Sequence, residues 1–237
     1  MSTFDRNAAI PGTPGNRSGA AEAGLRAYML NIYNYMAMGV ALTGLVAMLT
    51  FQFTGPALLA SPLMWVFMLA PLGLVFFISA RINTLSAQTA RMLFFVYAGL
   101  VGVSLSTIFH VYTETSITQV FFISAASFAA LSAWGYTTKR DLSGFGTFLF
   151  MGLVGIVIAS LVNLFLKSSA LDWTISVIGV GVFAGLTAYD TQRLKAIYDS
   201  NDDETTTGRK VVIGALTLYL DFINLFMMLL RLMGNRR

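Results

Sequence analysis

The stretch VVIGALTLYLDFINLFMMLLRLM, Val211–Met233, decides the reading of this chain. It is longer than the roughly 20 residues that a helix needs to cross a hydrocarbon core, and near its middle stands one acid, Asp221. An ionised carboxylate at the centre of a membrane helix costs about 2.5–3.5 kcal/mol on insertion scales, so Asp221 needs a polar partner, a water-filled cavity or a proton. Thr217, Asp221 and Asn224 fall at i−4, i and i+3 and make one polar stripe on an otherwise apolar helix. The stripe is expected to face protein.

The apolar segment before it, Trp173–Leu194, ends GLTAYDTQRL and holds Asp190, the other acid well inside an apolar segment. Thr187, Asp190 and Arg193 repeat at i−3, i and i+3 and give a second polar stripe, beside the close-packing motif Gly181-xxx-Gly185. The two stripes are natural neighbours.

Composition points to the same class. The chain has 237 residues, 56% of them hydrophobic and 11% charged, whereas a soluble domain carries about 25% charged residues. The formal net charge of +4 is small and sits in loops; it reports membrane topology, not nucleic-acid binding. There is no Cys, which excludes disulfides and thiolate metal sites.

Residues 1–27 are rich in Pro, Gly, Ala and small polar residues and read as a mobile cytoplasmic tail. No short apolar run with a cleavage site precedes the first span, so that span is expected to serve as the insertion signal. Residues 28–237 then form one membrane domain, with apolar stretches at about 28–53, 62–80, 91–111, 117–137, 145–167, 173–194 and 211–233. Barrel alternation is missing, and runs of this length satisfy their backbone in lipid only as helices. The expected fold is an all-α polytopic membrane protein with seven transmembrane helices.

Basic residues give the orientation. With a cytoplasmic N-terminus, the inside segments hold Arg6, Arg17, Arg26, Arg81, Arg91, Lys139, Arg140, Arg193, Lys195, Arg209 and Lys210, against Lys167 in the outside loops. Seven crossings then leave Arg231, Arg236 and Arg237 outside, contrary to the rule. A last segment that re-enters and returns to the cytoplasm is the alternative.

TAYDTQ around Asp190 and LYLDFINLF around Asp221, with the short polar loop between them, resemble the signature of the transmembrane Bax inhibitor motif family. SARINTLSAQTA, YAGLVGVSLSTIF and TKRDLSGFG resemble its bacterial members, so the likeness runs from about Asn31 to the C-terminus. It implies six helices around a central seventh, in a bacterial inner membrane. It further implies a pH-sensitive calcium-leak pathway in which Asp190 and Asp221, on the sixth and seventh helices, act as the sensor. An arginine at the cytoplasmic end of the second helix is described as a latch on that pair, and Arg81 matches it by position. A carboxylate within the second helix of some relatives, linked to ion passage, has no counterpart in WVFMLAPLGLVFFISA.

The chemistry of two adjacent membrane acids agrees with that reading. Repulsion and desolvation disfavour double ionisation, so a shared proton is expected over some pH range. When the proton leaves, the helices separate or a cation takes its place. Carboxylate and Asn oxygens suit a hard ion such as Ca²⁺, with Asp190 and Asp221 as its ligands and Asn224, Thr217 and Thr187 as polar support. Protons, Ca²⁺, the lipid bilayer and other membrane proteins are the expected partners, and no cofactor is called for. The loop IYDSNDDETTTGR places Asp199, Asn201 and Asp203 at calcium-loop positions one, three and five. Glu204 then stands where Gly is required and Lys210 where a bidentate Glu belongs, so it reads as a solvated acidic turn.

Two other classes compete with transport. An intramembrane aspartyl protease shares paired acids, but its second acid follows a helix-loosening Gly-x-Gly, whereas Asp221 follows Leu218-Tyr219-Leu220. The lone His110 leaves no familiar zinc set, and Ser104 stands six residues away, too poorly aligned for a dyad. A non-conducting regulator that binds other membrane proteins is the second alternative. There each Asp would only lock the bundle through bonds worth about 0.6 kcal/mol.

Overall fold

The computed structural model describes residues 14–237. Its helices are α1 (Pro14–Ala60), α2 (Leu63–Arg81), α3 (Ala87–Leu105), α4 (Ile108–Val111), α5 (Glu114–Thr137), α6 (Ser143–Leu166), α7 (Ser169–Ala196) and α8 (Glu204–Met233). All but α4 are long and apolar enough to cross a membrane, and α4 is a single turn that closes the third crossing. No strand forms among the described residues, which contain one isolated bridge between Tyr112 and Arg236. Four helices begin on a side-chain cap, a hydroxyl or carboxylate that accepts an otherwise unpaired N–H. Ser86 caps α3, Thr113 α5, Ser168 α7 and Asp203 α8.

The C-terminal helix is the centre of the bundle. In its most apolar window 67% of residues are buried, against 11% in α6. Helix α8 packs on α1, α3, α5 and α7, while α2 lies mainly against α3 and α6 against α7. The outer pair turns large apolar side chains outward, among them Trp65 and Phe76 on α2 and Phe148 and Phe165 on α6, as lipid-facing helices do. Small residues set the closest approaches, as expected where lipid gives no hydrophobic drive between helices. A Cβ at Gly135 would collide with the Ala188 backbone, and one at Gly102 would stand 2.7 Å from the Thr43 carbonyl.

LYLDFINLF is legible once its neighbours are known. Tyr219 is fully buried between α1 and α3, where it lies edge-on to Phe94 and Tyr97 and shares a 2.7 Å hydrogen bond with Thr43 Oγ1; that hydroxyl donates to the Ala98 carbonyl at 2.8 Å. Phe222 turns to Phe121 and Phe128 of α5. Asp221 and Asn224 are left facing α6 and α7.

Helix α8 makes a full crossing. At its start Arg209 Nε donates to the Leu85 carbonyl at 2.6 Å and Lys210 Nζ to the Ile197 carbonyl at 2.9 Å. It runs unbroken for 30 residues, about 45 Å, and ends beside the first turns of α5 and α7. There Arg231 and Arg236 approach Asp172 at 3.9 and 3.6 Å, and Arg237 approaches Glu114 at 3.5 Å. The three arginines that offend the charge rule thus lie against acids at their own end of the bundle. A returning last segment is ruled out by this path.

One boundary moves. Residues 1–13 of the expected tail lie outside the described residues, but 14–27 are not tail: helix α1 begins at Pro14. Composition misleads here because Pro is well tolerated in a first helical turn. Gly24 is also used for packing, since it leaves room for the Tyr198 hydroxyl beyond α7, and Tyr28 faces the Tyr198 ring at 5.4 Å.

Candidate functional site

Asp190 and Asp221 meet. They stand on antiparallel helices, are 8% and 5% exposed, and line one cavity together. Asp221 Oδ2 is fully buried and finds no donor among the described residues. Two ionised carboxylates have no donor to offer, so this contact becomes a hydrogen bond only when one of them carries a proton. Otherwise two like charges are held together with little water, and the repulsion must be relieved by separation or by a cation.

The pair forms part of the wall of a cavity of about 530 Å³ between α6, α7 and α8. Thr217 and Asn224 line it too, as the i−4 and i+3 spacing requires. Asn224 Nδ2 donates to the Leu220 carbonyl at 2.8 Å, leaving its Oδ1 as the available acceptor. The opposite wall is α6, with Gly146, Thr147 and Phe150. Gly146 is needed there because the Tyr189 ring occupies the space a Cβ would fill. Among the described residues no three His, Cys, Asp or Glu side chains cluster as a metal site. Two carboxylates with one amide and one hydroxyl fall short of the six to eight oxygens of a resident Ca²⁺.

Two expected members are elsewhere. Thr187 is fully buried but its hydroxyl turns back to the Phe183 carbonyl at 2.8 Å, and it does not line the cavity. Arg81 is exposed at the end of α2, a helix packed on α3 and α1, and lines neither this cavity nor its neighbour. The cation in this cavity wall is Arg193, one turn along α7 from Asp190. In the sequence Arg193 reads as one member of the stripe and Arg81 as the latch, because position relative to a span says nothing about which helices touch. The α6 wall has no local signal at all. Gly146 lies in the TKRDLSGFG string, and nothing around it marks it as the seat of an aromatic ring carried by α7.

Seven crossings, six of them around the C-terminal seventh, with an acid pair shared by the last two, define a polytopic α-helical membrane protein with a buried diacid. The family described as "Inhibitor of apoptosis-promoting Bax1" matches residues 25–237, and the chain belongs to that Bax inhibitor-1 family. It is similar to the inner membrane protein YbhL of Escherichia coli K12, with 51% identity over 225 residues that cover 91% of this chain and 94% of that protein. The uncharacterized protein RP147 of Rickettsia prowazekii is 46% identical over 218 residues, covering 91% and 92%. An uncharacterized protein of Caulobacter vibrioides is 40% identical over an aligned length of 251, covering all of both chains. The chain is an integral protein of the bacterial inner membrane.

Proposed function

We propose that this protein passes Ca²⁺ down its gradient across the inner membrane, and that the protonation of the Asp190–Asp221 pair sets whether the path is open. The N-terminus is cytoplasmic in this reading, since the basic loops gather at the end of the bundle where α8 begins. The observation that carries it is the meeting of two buried carboxyl groups at the wall of a cavity between α6, α7 and α8. With a shared proton the α7–α8 contact is a hydrogen bond and the helices stay together. Without it, like charges press the helices apart or draw in a hard cation, for which Asn224 and Thr217 supply further oxygens.

Proteolysis fits the same acids poorly. Asp221 stands in an unbroken helix, in which Leu218 and Tyr219 are fully buried, and that leaves no loosened segment to admit a substrate chain. The reading is therefore transport without an enzymatic step. Dye-loaded liposomes containing the full chain test it: Ca²⁺ flux should change with pH in the wild type and be flat with pH in Asp190→Asn and Asp221→Asn. Flux that keeps its pH dependence in both variants sinks the proposal.

A further inference from the structure

The acid cavity has a neighbour of opposite charge. A second cavity of about 520 Å³ lies at the same end of α7 and shares Tyr189 and Arg193 with the first. We propose that it binds a phosphate-bearing anion, either a phospholipid headgroup or free phosphate. The inference rests on this cavity's own charges and does not depend on the Ca²⁺ reading.

Its walls bring together Lys139 and Arg140 from the α5–α6 loop, Ser143 at the start of α6, and Gln192 and Arg193 from α7. Among the described residues none of the three cations takes part in an ion pair. The acid in the wall, Asp141, is already engaged: its Oδ1 accepts the Ser143 N–H at 2.9 Å, and hydrogen bonds from Ser143 hold its carboxyl below the usual carboxylate range. Three cations against the one carboxylate of Asp141 leave the cavity with a net positive charge, which a bound anion offsets. Two of the three are Arg, whose planar fork matches phosphate oxygens in pairs.

The cavity is held in shape. Gln192 Nε2 donates to the Arg140 carbonyl at 2.8 Å, and its Oε1 accepts the Leu142 N–H at 2.9 Å, so one α7 side chain clamps the loop that carries both cations. Lys195 Nζ adds a bond to the Tyr136 carbonyl at 3.0 Å, at the end of α5. A fixed loop sacrifices little freedom on binding. Position fits as well, because α5 ends, α6 begins and α7 ends here, at the level where a bilayer carries its phosphates. Basic pockets between membrane helices at a cytoplasmic surface are suited to acidic headgroups. Arg193 lines both cavities, so an anion seated here also alters the field at Asp190.

The test uses the full chain in phosphatidylcholine nanodiscs, read by its melting midpoint. One arm adds inorganic phosphate against chloride at equal ionic strength; the other adds phosphatidylglycerol to the disc. A ligand that binds only the folded state raises the midpoint with the logarithm of its concentration over its Kd. A rise with phosphatidylglycerol alone assigns a headgroup, and a rise with inorganic phosphate assigns a site open to the free anion. In Lys139→Gln and Arg140→Gln the apparent affinity should fall about tenfold or more for each charged hydrogen bond removed. Arg231→Gln, at the other end of the bundle, should leave it unchanged. No rise in either arm, a rise that survives both loop substitutions, or an equal fall in Arg231→Gln overturns the proposal.

Discussion

The two faces of α8 are built in opposite ways. Toward α1 and α3 the helix is closely packed and its own polar group is used, with the Tyr219 hydroxyl bonded to Thr43 and Thr43 to the Ala98 carbonyl among aromatic rings. Toward α6 and α7 it carries an acid with an unpartnered oxygen, an amide and a hydroxyl along a cavity. One run of ten residues, Thr217–Phe226, supplies both, because successive residues turn by about 100° around a helix. On the proposed reading the contrast assigns stability to one face and change to the other: a packed, satisfied seam would have one arrangement, whereas a seam held by a proton would have two.

Substitutions can break or sharpen that contrast. The largest effect belongs to the closely packed face. Tyr219→Ala removes a fully buried ring and should cost about 3–5 kcal/mol, seen as a sharp fall of the melting midpoint in detergent, whereas Asp221→Asn removes a buried charge and should leave the midpoint near or above that of the wild type at neutral pH. Equal falls in the two variants would erase the distinction between the faces. Tyr219→Phe is the finer form of the same test. It deletes one buried hydrogen bond while Thr43 keeps the Ala98 carbonyl, so a destabilisation of about 1 kcal/mol is expected, with the pH profile of Ca²⁺ flux unmoved.

Smaller again is Gly146→Ala on the cavity face. The added methyl meets the outer part of the Tyr189 ring, which can swing into the cavity, so the midpoint should fall by less than about 1 kcal/mol in equivalent stability. Flux, in contrast, should respond, since the ring borders the acid pair. The smallest effect lies outside the membrane. Hydrogen bonds from Thr206, first its hydroxyl, and from the Thr205 N–H hold the Asp203 carboxyl below the usual carboxylate range at the start of α8. Its folded-state value is lowered, so its contribution is present above the unfolded value and disappears as pH falls through the folded one. Asp203→Ala should therefore lower the midpoint at neutral pH and make no difference in strong acid.

How much of this is legible in the sequence follows from what each signal encodes. Length and hydropathy encode crossing, and all seven spans come from them. Helical spacing encodes a face, and it places Thr217, Asp221 and Asn224 together. Spacing does not say how far a hydroxyl reaches, and Thr187, on the right helix, satisfies itself on the Phe183 carbonyl. Nor does it say which helices touch: Arg81 sits at the correct depth on a helix that packs elsewhere, while Arg193 shares a cavity wall with Asp190. The beginning of α1 is hidden because its Gly and Pro residues look like tail until Tyr198 folds against Gly24. Likewise the arginines after α8 look misplaced until Asp172 and Glu114 are seen beside them.

The central claim is that a proton held between Asp190 and Asp221 controls the path, and infrared titration of Ca²⁺-conducting proteoliposomes addresses it directly. The C=O stretch of a protonated carboxyl should fade over the same pH interval in which flux changes, and in Asp190→Asn and Asp221→Asn flux should be flat with pH while the band of the remaining carboxyl titrates over a different interval. A flux that follows pH while that band stays constant, or a band that titrates unchanged in either variant, would contradict the account.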